Sequence, residues 1–302
     1  MVMIEVKTFR DPEIWYNILK RCFGDLEKRT LDELRAVVDS PSFDPKNLLL
    51  AEVEGSPAGC LWIRRLPKED RYELWDLAVP KEFWGLGVED ALIERALDIL
   101  FDRRARLARA HTLSIEPCVA AFKRHGFNPV RRILRIVWEL QRVKIEPPCA
   151  NVTQINEVGP EDIEELSGVF LEGLKPYWNW WIEDQGGAER LREASRSWFE
   201  PSSGLLWLVA KKDGKTIGLT GFHVKGREGV LFGVMVLPEH RLKGVGRALL
   251  MSALRKAAEL GLERLIVYTV AYLDRLAPGA ALYMRSGGLV EAEYIHLERI
   301  LR

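Results

Sequence analysis

Apolar positions along this chain fall into short runs that switch between two periods. Val245, Leu249, Ala253, Ala257 and Leu260 recur near helical spacing on roughly one face, and Gly261 follows as a natural C-cap. Leu265–Val270 is an uninterrupted, β-branched-rich run, the pattern of a buried strand. Before that helix, Leu205–Lys211, Thr216–Val224 and Val230–Val236 read as antiparallel strands; after it come a short helix containing Tyr283 and a closing strand near Ala292–Leu301. The first half reads similarly, with Val88–Leu107 as its long helix and Ile133–Leu140 as its last strand. Each half opens on a strand, Ile4–Phe9 or Thr153–Val158. Each strand runs into a helix start with proline and acids in the first turn, Asp11-Pro12-Glu13 or Pro160-Glu161-Asp162. The expected fold class is therefore α/β (α+β), with a mostly antiparallel mixed sheet flanked by helices in each half.

The halves also match residue by residue. At an offset of 159, Ala51–Gly59 falls on Ala210–Gly218, each a strand, a tight turn with a glycine for positive φ, and a second strand. Gly85 and Gly87 fall on Gly244 and Gly246 at the same offset, and Ala120–Gly126 falls on Ala281–Gly287 at 161. Four landmarks in one order imply a tandem duplication. Its seam is expected at Pro147-Pro148, giving domains 1–147 and 148–302.

Composition narrows the function. A length of 302 residues suits two domains of roughly 150. With 44 basic and 44 acidic side chains the net charge is zero, which removes the global attraction to phosphate expected of a nucleic-acid binder. No apolar run approaches the ~20 residues of a membrane span, and Glu5, Lys7 and Arg10 interrupt any secretory signal near the N-terminus. Cys22, Cys60, Cys118 and Cys149 are widely scattered without a CxxC pair, so no metal is expected, and the usage fits a reducing cytoplasm.

The most informative stretch runs from Val234 to Arg247: a strand, a short loop, then Gly244 and Gly246 where a helix begins. Amides at a helix N-terminus lack partners within the helix and carry the positive end of its dipole. Glycine lets successive amides face one anion, and Arg241, Lys243 and Arg247 add cations. A diphosphate is a natural tenant. No third glycine stands at the Rossmann position and no GxxxxGK[ST] occurs.

The order Val236, Pro238, Arg241, Gly244, Gly246, then Ala281, Tyr283 and Gly287, resembles the GCN5-related N-acetyltransferase (GNAT) superfamily, over essentially all of the second half and more weakly over the first. The resemblance implies two tandem GNAT-like domains and acetyl-CoA as co-substrate. Leu242, Lys243, Gly244, Val245, Gly246 and Arg247 would hold its diphosphate, and the backbone of Val234, Met235 and Val236 would meet its pantetheine arm and thioester. Tyr283 stands where family members carry a tyrosine that protonates the departing thiolate. The asparagine many members carry seven residues earlier is Leu276 here. The glutamate base of some members is replaced by Tyr268 or Thr269, leaving His223, Glu228 or a water wire as base candidates.

The first copy has lost these features. Glu82 stands where Arg241 does, Phe83-Trp84 replace Leu242-Lys243, and Phe122 replaces Tyr283. A carboxylate beside the cradle repels a diphosphate. The second copy is thus expected to be catalytic and the first to be a non-catalytic partner. An insert unique to the second copy carries Tyr177, Trp178, Trp180 and Trp181 beside Glu183 and Asp184, an aromatic and acidic set suited either to a cationic amine or to burying a contact. The reading is an acetyl-CoA-dependent N-acetyltransferase acting by direct attack on a small-molecule amine. Its rivals are a peptide N-terminal acetyltransferase and a non-enzymatic acyl-CoA sensor.

Overall fold

The computed structural model describes residues 3–145, 152–155 and 160–301, with backbone alone at 152–155 and 160–162. The proposed seam at Pro147-Pro148 lies outside the described residues. In the first copy the elements are β1 (Ile4–Thr8), α1 (Pro12–Phe23), α2 (Leu31–Asp39), β2 (Leu48–Val53), β3 (Ser56–Arg65), β4 (Arg71–Ala78), α3 (Val88–Asp102), β5 (Leu107–Leu113), α4 (Glu116–Arg124) and β6 (Asn128–Glu139). In the second they are β7 (Val152–Ile155), α5 (Pro160–Leu174), α6 (Asn179–Asp184), α7 (Ala188–Arg196), β8 (Leu206–Lys212), β9 (Lys215–Lys225), β10 (Glu228–Val236), α8 (Val245–Glu259), β11 (Arg264–Ala271), α9 (Pro278–Arg285) and β12 (Leu289–Ile300).

Local chemistry explains most boundaries. Asp11 caps α1 by accepting from the amides of Glu13 and Ile14 at 2.8 and 3.1 Å, and Thr30 with Glu33 forms a capping box on α2. The β2–β3 and β8–β9 hairpins turn on Glu54-Gly55 and Asp213-Gly214, all four residues at positive φ. One expected element is shorter than its pattern: α3 stops at Asp102, Arg104 takes φ 54°, and Leu107 starts β5. The apolar spacing of Leu97, Leu100 and Leu107 hides that turn, which rests on Arg103–Arg106.

The chain divides into two compact units, Met1–Arg131 with Tyr294–Arg302, and Arg132–Glu293. In the first, sheet order is β1-β2-β3-β4-β5 followed by the C-terminal part of β12, antiparallel to β5 from Tyr294↔Leu113 to Ile300↔Leu107. In the second, the order is β6-β11-β10-β9-β8-β7, with β6 antiparallel to β11 from Arg264↔Glu139 to Ala271↔Arg132. Each unit therefore takes its final strand from the other copy. Strand alternation buries the same face either way, so the pattern of a strand says nothing about which sheet it joins.

In the second unit α8 lays Leu250, Ala253, Leu254 and Ala257 on one side of the sheet against Leu231, Leu265, Val267 and Trp138, all buried. On the other side α5 and α7 pack Leu166, Phe170 and Leu191 over Trp207, Leu219 and Met235. Each such leucine contributes about 1.5–3 kcal/mol by leaving water. Among the described residues no helix is long and apolar enough to cross a membrane.

Candidate active site

Strands β10 and β11 run parallel from Glu228↔Arg264 to Leu231↔Val267. There β10 bulges, pairing again with β9 only at Val234↔Thr220. Beyond the bulge the two strands part, and a cleft of about 450 Å³ opens between Gly233–Val236 and Tyr268–Val270. Its other walls are the end of α5 with Tyr177 and Trp178, the start of α8 at Gly244, Gly246 and Arg247, and Leu282 and Tyr283 of α9.

The loop into α8 is built to leave amides open. Gly244 is the N-cap at φ 84°, a left-handed conformation that side chains resist, and no side chain caps the helix. Leu242, also at positive φ (59°), is fully exposed. Lys243 Nζ donates to Glu239 O at 2.8 Å. Arg241 lines the cleft, but its guanidinium is directed at backbone: Nε donates to Val236 O at 3.0 Å, and Nη2 donates to the carbonyls of Glu172, Gly173 and Lys175 at 3.3, 3.2 and 2.6 Å. Glu172 and Gly173 lie in the last turn of α5, at the negative pole of its dipole, and Lys175 directly follows the helix. Arg241 thereby ties the far wall of the cleft to β10. Gly173 completes the join; a Cβ there would lie 2.4 Å from Met235 Cβ, so only glycine lets α5 approach this closely.

Tyr283 is buried, and its hydroxyl accepts the Val234 amide at 2.9 Å. Burial pushes the phenol up to about 12, the Val234 hydrogen bond offsetting only part of that. Because Val234 N–H supplies the accepted hydrogen bond, the O–H proton is left to donate elsewhere. The carbonyl of Gly233, at the centre of the bulge, accepts from Thr220 Oγ1 at 2.7 Å. The Tyr283 ring stands edge-on to Trp138 at 5.7 Å, and Trp138 Nε1 donates to Ser286 O at 3.1 Å. Trp138 lies on β6, and no sequence spacing points to it as a partner of the site.

The cleft brings together Val234, Met235, Val236, Arg241, Leu242, Gly244, Gly246, Arg247, Tyr283 and Trp178 from the residues singled out in the sequence. Lys243 and Val245 sit in the same loop and helix start without lining it. Of the insert, Trp178 faces the cleft and stacks on Trp180 at 5.6 Å, whereas Trp181 meets Trp178 edge-on at 6.5 Å. Glu183 is exposed and Asp184 buried, both away from the lining. Phe232 and Tyr268, to which no motif in the sequence points as acceptor-side groups, complete the aromatic wall. His223 packs beside Phe232 at 5.9 Å; burial and then Lys225 hold its imidazole below the usual range, leaving it neutral and able to accept a proton. Glu228 is held by Arg264 Nη1 at 2.8 Å.

The first unit repeats the frame without the chemistry. Gly87 is the left-handed N-cap of α3, yet Glu82 is bound by Arg21, Trp84 Nε1 donates to Val79 O at 2.8 Å, and Phe122 packs edge-on to Phe127 at 5.2 Å. At its own bulge Asp76 receives a bidentate pair from Arg29, which also binds Glu27.

A sheet parted beside an uncapped central helix, with the same frame repeated in the first unit, defines a duplicated α/β fold. The acetyltransferase (GNAT) family model matches residues 13–127 and again 172–287, and the chain belongs to that family. Among curated relatives, mycothiol acetyltransferase of Pseudarthrobacter chlorophenolicus is 28% identical over 236 residues, 72% of this chain and 67% of that protein. The same-named protein of Cellulomonas flavigena is 30% identical over 132 residues; the match spans 39% of this chain and 38% of the relative's length. Among solved structures, a GCN5-related N-acetyltransferase from Sphaerobacter thermophilus superposes with a TM-score of 0.77 at 18% identity, over 99% of this chain and 96% of that one. A tandem GNAT protein from the clavulanic acid biosynthesis pathway gives 0.64 at 14% identity, over 99% and 98%. These two likenesses concern the fold.

Proposed function

We propose that the second unit is an acetyl-CoA-dependent N-acetyltransferase acting on a small primary amine. The observation that carries this reading is one continuous cleft, joining the open amides at Gly244–Arg247 to the bulge at Gly233–Val234, with the Tyr283 hydroxyl against it. The residues fit the co-substrate: α8 has no side-chain cap, and a Cβ at Gly246 would lie 3.4 Å from Leu282 and 3.6 Å from Val234, filling the floor that glycine leaves bare. Leu242 to Arg247 would hold the diphosphate. Bound acetyl-CoA supplies the activated acyl group. The protein's part is to bind, to exclude water with apolar walls, and to hold a proton at Tyr283 Oη for the departing sulfur. The aromatic wall of Trp178, Phe232 and Tyr268 suits an amine arriving as a cation, and His223, which packs behind Phe232 without lining the cleft, is the candidate to take up its proton through water. By the same reading the first unit holds no co-substrate. Domains 1–147 and 148–302, as copies, then divide into a supporting and a working half.

The test is thiol release over a panel of amino sugars, polyamines, amino acids and peptides, with wild type and Tyr283→Phe. Turnover is expected to fall by ~10²–10⁴ in the variant while CoA affinity is kept. Unchanged turnover would remove Tyr283 from the reaction, and two equivalent CoA sites in a titration would overturn the asymmetry between units.

A further inference from the structure

A second cluster lies in the first unit, among residues that the acetyl-transfer proposal does not use. Glu73 is on β4, His111 on β5 and His296 on the C-terminal part of β12, three adjacent strands of one sheet. Glu73 pairs in register with Arg109, two residues before His111, and His296 lies directly opposite His111. Period-two alternation therefore puts all three side chains on the same face. One ligand atom from each, a carboxylate oxygen and two ring nitrogens, lies within 4.8 Å of the other two. His111 Nδ1 and His296 Nε2 are hydrogen-bonded to each other, and a metal ion would take the place of the proton they share.

We propose that Glu73, His111 and His296 form a binding site for a divalent transition-metal ion, Zn²⁺ first among them. Two imidazoles and one carboxylate are the donor set that zinc takes at three-ligand sites, with water completing the shell. The surroundings suit a fixed site. Trp75 and Tyr294 each stack on the His111 ring at 5.0 Å, which sets the orientation of its nitrogens, while Glu73 and His296 are buried. Nearby cations are already engaged: Arg109 and Arg131 meet Glu298 at 2.8 and 3.2 Å, and Arg64 sits over the Trp75 ring at 4.4 Å. Arg64 also forms an ion pair with Glu73 at 3.7 Å, which a bound metal would share or displace. The sequence gives no hint of the site, because two ligands stand in the first copy and the third follows His111 by 185 residues. A metal here would clip β12 onto β4 and β5, closing that long loop.

The experiment uses the full chain, stripped with a chelator and dialysed, then titrated with Zn²⁺ and, as a spectroscopic probe, Co²⁺. Wild type is expected to bind one equivalent at this site, to show ligand-field bands with Co²⁺, and to rise in Tm on addition of metal. His111→Ala/His296→Ala is expected to lose that equivalent and the Tm response. Glu73→Gln, which keeps the side-chain shape, is expected to weaken binding at least tenfold while its circular dichroism matches wild type. No binding by wild type, or equal binding and equal Tm response in wild type and both variants, overturns the site.

Discussion

At Tyr283 one residue sums up how the cleft works. The phenol is buried, its oxygen takes the Val234 amide, and its proton is held up to about 12 instead of 10.0. Turnover is therefore expected to show no alkaline loss as pH passes 10, where a free tyrosine ionises; a pH–rate profile from 7 to 11 checks it. The same shift makes a statement about stability. The folded protein holds this proton more tightly than the unfolded chain, so its contribution is fully present below about 10 and declines as pH climbs toward 12. Denaturation of wild type and Tyr283→Phe should show a constant stability difference below pH 10 that moves against wild type above it. Arg241 teaches a different lesson. Its position beside two glycines was legible in the chain, but its partners, carbonyls at and just past the end of α5, lie 66 to 69 residues upstream and only folding reveals them.

Among elements, helices and hairpins were the legible part. The 3.6-residue spacing from Val245 to Leu260 became α8, and the glycines at 55 and 214 became the turns of the β2–β3 and β8–β9 hairpins. The β5 start at Leu107 was not legible, because the apolar residues before it stay in helical phase through the turn. The approach of α5 to β10 was equally hidden, since it depends on a missing side chain at Gly173. Gly173→Ala is expected to push α5 off Met235 and to destabilise the second unit by about 1–3 kcal/mol. It should also weaken CoA binding, because Arg241 loses its hold on the displaced carbonyls. Chemical denaturation and a CoA titration on the same sample separate the two effects. An alanine tolerated without loss in either would show that α5 has room to spare.

For the molecule as a whole, duplication could be seen in the chain and the exchange of final strands could not. The exchange makes each unit depend on residues of both sequence copies. Arg109, 2% exposed, relies on Glu298 of β12, and Tyr283 leans on Trp138 of β6. Deleting residues 294–302, which removes Glu298 and the edge strand together, is expected to destabilise the first unit by about 3–5 kcal/mol. It should split unfolding into two transitions, with the first unit melting earlier. A single unshifted transition in calorimetry would speak against it.

The order of synthesis then acquires meaning. While the ribosome is still making the second copy, β6 has emerged with nothing from its own copy to close against, and the nascent first sheet ends at β5 with its edge uncovered. The earlier-made half must wait, one strand short, until residues 294–300 arrive, so its maturation falls after that of the half translated later.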